Sequence, residues 1–284
     1  MKCKGHLFIV GMNDSGTTWL QNILSHCRDC VSFKTGKHPN GLEGQGAVWY
    51  KHNKKNFYPR DIDHKVVKVF TEKREIWEEN KHFNWGKIKE AWNHFWTNGN
   101  DCKNSDPKKR WLLEKTPFNV LMVHHLLREF PDARFLIIHR NPYAICEGIR
   151  RTCRKKKKID YALDRCATHW VKCSEKQIEN IKLLVPDQAI WFKYEDMVTH
   201  PGTIQKQIID FLPELHDLDL RKAAICHSMD GNKRQPVTNY NDRHLNNLSA
   251  EDYAVINTVL DKHTNLMEYF GYVRRTEPPN SAGV

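Results

Sequence analysis

The 284 residues can bury one large core, and 39% hydrophobic with 28% charged residues is ordinary for a water-soluble globular chain. No stretch reaches the roughly 18 apolar residues that a membrane span needs, and residues 1–6 leave no room for the apolar region of a leader before the first strand. The expectation is a cytoplasmic protein, or a lumenal domain whose anchor has been removed. A net charge of +11, from 45 basic and 34 acidic residues, concentrates anions at the surface: a nucleic acid, a membrane face or a polyanionic small molecule.

In chain order, strand-like and helix-like patterns alternate. His6–Val10 reads as a strand, followed by a glycine turn and a helix over Thr17–Cys27. Ser32–Tyr50, rich in Gly, Lys and His, reads as a functional loop. Lys65–Phe70 is expected to be a second strand, and Glu72–Asn98 a helix whose Trp77, Trp85, Trp92 and Trp96 pack a lid or subdomain. Trp111–Lys115 gives a third strand and Phe118–Phe130 a helix; Arg134–His139 gives a fourth, with a helix opening at Pro142. Tyr161–Leu184 continues as helix, Ala189–Lys193 is a fifth strand, and a helix covers Thr203–Leu212. A less regular stretch, Pro213–Asn247, precedes a last helix over Ser249–Phe270, and the tail from 276 to 284 is expected to be disordered.

Repeated β-then-α units predict an α/β fold, a central parallel sheet flanked by helices on both faces. Ligands in such sheets sit beyond the carboxyl ends of the strands. The expected organisation is one domain over 1–275. Residues 36–110 form its acceptor-side loop and helical insertion, and 213–247 an irregular cap. The nine cysteines lack framework spacing; Cys27-x-x-Cys30 has no second pair to complete a metal site, and reduced thiols are expected.

Gly11-Met-Asn-Asp-Ser-Gly16-Thr17-Thr18 lies between a strand and a helix. Backbone N–H groups and the helix dipole there both favour an anion. The spacing mimics the loop of nucleoside triphosphatases, but Thr17 stands where their lysine reaches the terminal phosphates. A nucleotide kinase is therefore a weaker alternative. Phe135-Leu-Ile-Ile-His-Arg140-Asn-Pro142 ends a strand on an arginine, placed for forked bonds to phosphate, and proline then opens a helix.

Together these residues resemble the sulfotransferases that use 3′-phosphoadenosine 5′-phosphosulfate. Ser15-Gly16-Thr17-Thr18-Trp19-Leu20 is similar to the family's 5′-phosphosulfate loop, and Arg140-Asn-Pro142 to its 3′-phosphate motif. Glu114-Lys115-Thr116-Pro117 resembles an element of the glycosaminoglycan and bacterial members, in which the lysine faces the donor. Trp191-Phe192-Lys193-Tyr194-Glu195-Asp196-Met197 resembles the segment that closes the nucleotide domain. The motifs are closer to the glycosaminoglycan, protein-tyrosine and bacterial type than to the cytosolic phenol and steroid type.

The resemblance implies a P-loop-like nucleotide-binding fold and sulfuryl transfer from 3′-phosphoadenosine 5′-phosphosulfate to a hydroxyl or amine of a small molecule or glycan. The product is adenosine 3′,5′-bisphosphate, no metal is required, and no nucleic-acid partner is expected. Donor-binding residues implied are Asn13, Ser15, Gly16, Thr17, Thr18, Trp19, Arg140, the Gly148 position, Tyr194, and Lys233 with Arg234 in the irregular segment. Lys115 is implied as the leaving-group cation. Glu43 is the implied base, with His38 as its rival and Glu72 a third choice. Two positions depart from the pattern. Asp14 stands where a Lys or Arg is common, and Gly148 where a serine follows the arginine by eight positions. Arg150 or Arg151 is expected to replace that serine's contact. The departures keep open a catalytically inactive member as a further alternative.

Overall fold

The computed structural model describes residues 4–33, 43–44, 47–48, 51, 68–79, 83–98, 110–157, 159–222, 224–225, 234–235 and 237–279. Their elements in chain order are β1 (Gly5–Val10), α1 (Thr17–Leu24), β2 (Cys30–Ser32), a 3₁₀ turn (Phe70–Lys73), α2 (Arg74–Glu78), α3 (Trp85–Asn98) and β3 (Trp111–Lys115). There follow α4 (Asn119–Glu129), β4 (Arg134–His139), α5 (Pro142–Lys157), α6 (Leu163–Leu183), β5 (Ala189–Lys193), α7 (Tyr194–Thr199) and α8 (Pro201–Phe211). A 3₁₀ turn (Pro213–Leu215), β6 (Ala224–Ile225), β7 (Arg234–Gln235), α9 (Asn241–Asn246), α10 (Ala250–Leu260) and α11 (Thr264–Tyr269) complete the chain.

Five strands form one sheet in the order β2-β3-β1-β4-β5, and every neighbouring pair is parallel. Because side chains alternate along a strand, each strand feeds two cores. Phe8, Val10, Leu112, Phe135 and Ile137 face one side, where residues of α3, α4, α5 and α6 cover them. Leu7, Ile9, Leu113, Leu136 and Ile138 face the other, against α1 and α8. Both faces are thus buried, as a parallel sheet requires. Helix starts follow local chemistry: Pro201 opens α8, and Ser249 with Asp252 makes a capping box ahead of α10.

The α/β parallel-sheet expectation holds, with one strand exchanged. Lys68–Phe70 form a turn, a bend and the start of a 3₁₀ turn rather than a strand, and residues 65–67 lie outside the described residues. The sheet's fifth strand is Cys30–Ser32, paired to Trp111–Leu113; three residues are too few to show an alternating pattern. The expected long helix over 72–98 is two helices, and the last helix breaks at Asp261–His263. Trp77, Trp92 and Trp96 are core residues, and Trp85 packs partly buried against the same cluster. Trp92 stacks on Phe130 at 5.7 Å and Trp77 on Phe118 at 3.9 Å, so they cover the sheet itself. Among the described residues, no helix is long and apolar enough to cross a membrane.

Candidate functional site

Three segments reach one edge of the sheet because three adjacent strands end there. Ile9 of β1 pairs with Lys115, the last residue of β3, and Val10 pairs with Ile137 of β4. The Gly11–Gly16 loop therefore leaves the sheet between Lys115 and Arg140. Gly16 takes a φ of 90°, and a methyl group on it would stand 2.6 Å from the Tyr194 ring. Both the left-handed backbone and the close ring demand glycine. Ser15 Oγ donates to the Met12 carbonyl at 2.6 Å, which closes the loop on itself. Asn13 Nδ2 donates to the Lys68 carbonyl at 3.0 Å. Thr17 is buried, and the Trp19 side chain belongs to the core beneath the loop.

Lys115 is the centre of the first half of the site. Its side chain is 3% exposed, and Nζ donates to Thr18 Oγ1 at 3.1 Å and to Glu43 Oε1 at 2.8 Å. Glu43 is 45% exposed on its side chain, so it meets both a buried cation and solvent. The next residue is clamped: Gly44 N–H donates to Glu114 Oε1 at 2.8 Å and to Thr116 Oγ1 at 2.9 Å, while Trp92 Nε1 donates to the Gly44 carbonyl at 3.1 Å. A methyl group on Gly44 would stand 2.6 Å from Trp92 and 2.7 Å from Glu114 Oε1. Burial pushes Glu114 above the usual carboxylate range, against the pull of its donors Thr116, Asn119 and Gly44. Its neighbour on the strand, Lys115, thus faces the loop while Glu114 holds the backbone that carries Glu43.

Arg140 is the centre of the second half. It is 4% exposed and lies over the Tyr194 ring at 4.0 Å. Nη1 donates to the Asp14 carbonyl at 2.5 Å and Nε to Asn241 Oδ1 at 2.9 Å. Nη2 is buried with no hydrogen-bond partner among the described residues. A buried guanidinium nitrogen without an acceptor is costly, and an anion at this sheet edge would supply one.

Asp14 takes a φ of 63°, and its side chain is 7% exposed. Lys68 Nζ lies 3.5 Å from Oδ2. Burial pushes its pKa up, but Lys68, His244, Arg151 and Arg140 together hold it below the usual carboxylate range. His244 in turn hydrogen-bonds Glu147, and Arg151 Nε lies 3.1 Å from Glu147 Oε1. Gly148 sits against Asp14 and His244.

The sequence-predicted residues divide accordingly. Thr18, Glu43 and Lys115 come together, as do Gly16, Arg140 and Tyr194. Arg150 instead makes a two-pronged bond to Asp252, 2.7 Å on each side, so Arg151 is the basic residue of that helix near Asp14. Glu72 is paired with Arg165 and lies apart from Lys115. His38 and Lys233 lie outside the described residues, and Arg234 is described only as backbone of β7. Cys27 and Cys30 are buried thiols, and burial pushes Cys27 up to about 12, which leaves it unreactive. Sequence reasoning missed Gly44, Asn241 and His244. Only Gly44 carried a signal, as a glycine beside a candidate base.

Comparison with known proteins speaks to the family and the fold. A model of the sulfotransferase family matches residues 6–217. A protein-tyrosine sulfotransferase of Drosophila melanogaster is 27% identical over 139 residues, 48% of this chain and 26% of that protein, so the chain spans about a quarter of that relative's length. Among solved structures, the sulfotransferase domain from the curacin biosynthetic pathway is 15% identical at a TM-score of 0.55, covering 97% of this chain and all of that one. A sulfotransferase from Mycobacterium tuberculosis H37Rv is 12% identical at a TM-score of 0.57, covering 76% and 70%. These structural likenesses speak for the fold, and the family model for descent. The chain belongs to the sulfotransferase family.

Proposed function

We propose that the chain transfers a sulfuryl group from 3′-phosphoadenosine 5′-phosphosulfate to a hydroxyl or amine acceptor, by in-line displacement at the carboxyl edge of the sheet. The observation that carries this reading is the Lys115 ammonium held between Thr18 of the phosphate loop and Glu43 of the acceptor-side loop. A cation between those two loops is where a transferring group needs charge stabilisation. The acceptor oxygen or nitrogen attacks sulfur and loses its proton to Glu43. The bond from sulfur to the bridging oxygen of the 5′-phosphate breaks, and Lys115 stabilises the charge left on that oxygen.

Arg140 would hold the 3′-phosphate, and its buried Nη2, which has no hydrogen-bond partner among the described residues, supports an anion there. Ser15, Thr17 and Thr18, at the start of α1, would hold the 5′-phosphate. Arg234 and Lys233 stay in the reading as further contacts to the 3′-phosphate, and Asn13 as a loop contact. Buried thiols suit a reducing compartment, so the cytoplasm is the proposed location. The acceptor is a small molecule, a glycan or, by analogy with the Drosophila relative, a tyrosine side chain.

Titration calorimetry with adenosine 3′,5′-bisphosphate tests the donor site. Binding should occur without magnesium and exceed that of ATP with magnesium. Transfer of label from the sulfate donor to a panel of phenolic, sugar and amine acceptors then identifies the substrate. Absence of bisphosphate binding at millimolar concentration would sink the reading.

A further inference from the structure

Arg140 is oriented by a chain of hydrogen bonds that ends far along the sequence. Asn241, 5% exposed, accepts from Arg140 Nε through Oδ1 at 2.9 Å. Its Nδ2 donates to Glu195 Oε1 at 2.6 Å. The same Glu195 oxygen accepts from Asn141 N–H at 3.0 Å, and Oε2 accepts from the Tyr272 hydroxyl at 3.1 Å. Asn141 directly follows Arg140, so Glu195 grips both the backbone beside the arginine and the amide that meets its side chain.

The chemistry fixes the direction of this chain. An amide can present either its oxygen or its nitrogen to a neighbour. A carboxylate accepts only, so Glu195 accepts only the Nδ2 side of Asn241, and Oδ1 is left pointing at Arg140. An asparagine without Glu195 could turn its NH₂ group toward the guanidinium, donor against donor. Tyr194 covers one face of Arg140 and the Asp14 carbonyl takes Nη1. With Nε taken by Asn241, Nη2 is the nitrogen without an acceptor among the described residues.

We infer that Asn241 is a positioning residue for donor recognition, set by Glu195 so that Arg140 turns Nη2 toward the 3′-phosphate of the nucleotide. This rests on the donor reading above, and its ligand is the same nucleotide. Asn241 lies beyond the span matched to the family model, which ends at residue 217. Its assignment comes from the geometry alone.

The readout is the ratio of affinities for adenosine 3′,5′-bisphosphate and 5′-AMP, measured by calorimetry on the full chain. A general loosening of the fold would weaken both nucleotides, whereas a misdirected Arg140 weakens only the bisphosphate. Asn241→Ala should lower the ratio about 10- to 100-fold, the usual weight of a hydrogen bond to a charged group. KM for the donor should rise, with kcat at saturating donor within about twofold. Glu195→Ala should give a similar fall, and the double variant should lose less than the sum of the two single losses, since both changes cut one chain. Glu195→Gln is isosteric, keeps an oxygen that can accept from Asn241 Nδ2 and turns its NH₂ to the Tyr272 hydroxyl. It should retain more of the ratio than Glu195→Ala, and it serves if the alanine variants fail to fold.

An unchanged ratio in Asn241→Ala, or a ratio in Glu195→Gln below that of Glu195→Ala, overturns the inference, as do losses that add fully in the double variant. Arg140→Ala separates the two levels. If wild-type protein shows no preference for the bisphosphate, or Arg140→Ala leaves that preference intact, the donor reading itself fails and the inference falls with it.

Discussion

The Asp14 side chain fills the space that a side chain at position 148 would need. A methyl group on Gly148 would stand 3.1 Å from Asp14 Cβ and 3.3 Å from its Cγ. The two departures from the sulfotransferase pattern are therefore one arrangement. A carboxylate enters from the Gly11–Gly16 loop, and the helix opposite has no side chain at the position that meets it.

This coupling is measurable. Gly148→Ser should destabilise the protein by about 1–3 kcal/mol through overpacking, and Asp14→Gly should remove most of that penalty. A double-mutant cycle by urea unfolding should show a coupling of about 1 kcal/mol or more. Additive effects would mean that the two sites are independent.

Asp14 also makes stability depend on acid in a definite direction. Burial raises its pKa, yet the surrounding Lys68, His244, Arg151 and Arg140 bring it below the ordinary value. The unfolded chain therefore takes up the proton first as pH falls. The stabilisation is fully present above the unfolded value of about 3.9 and is lost as pH falls through the folded one. The stability difference between wild type and Asp14→Asn should be constant above about pH 5 and shrink below about pH 4. Denaturant midpoints at pH 7, 5, 4 and 3 check this; a difference that grows in acid contradicts it.

Lys115→Met preserves the buried stem and removes the charge. Turnover should fall on the order of 10²- to 10³-fold with bisphosphate affinity much less affected. Glu43→Gln should lower turnover about 10²-fold, and its half-exposed side chain predicts a melting temperature within a few degrees of wild type. Single-turnover transfer assays would read both. Near-normal turnover in either variant removes that residue from the mechanism.

Gly44→Ala tests how tightly the base is held. The added methyl meets Trp92 and a Glu114 oxygen at less than 3 Å, and both neighbours are buried. Glu43 must therefore move, and turnover should fall about tenfold or more, since a misplacement of 1 Å can lower rates by about 10²-fold. Trp92→Phe loses the bond to the Gly44 carbonyl and part of the ring's packing but adds no clash at the loop, so it should have a smaller effect in the same assay.

Much of this site was legible in the sequence because its anchors follow apolar strands. Lys115 and Arg140 each close a run of core residues, and the parallel direction that repeated β-then-α units impose sends both to the same edge. Strand β2 escaped notice because three residues carry no period, and Lys65–Phe70 drew the assignment by being longer and more apolar. Asn241 and His244 escaped for a different reason. A short polar helix in an irregular stretch has no local mark of function, and its meaning lies in contacts made 101 residues back to Arg140 and 97 back to Glu147. Likewise, the choice between Arg150 and Arg151 turned on helical direction relative to Asp252, which only packing decides.

The placement of Lys115, the Gly11–Gly16 loop and Arg140 on neighbouring strands also sets a fixed ruler. Parallel strands stand about 4.8 Å apart, so the three anchors are spaced by the sheet's own repeat. That spacing is independent of the loops. On the proposed function, insertions or exchanges in the segment around Glu43 would reshape which acceptor enters while the proposed donor anchors keep their separation. A graft of a foreign loop around Glu43 should then change the acceptor and leave nucleotide affinity as it was.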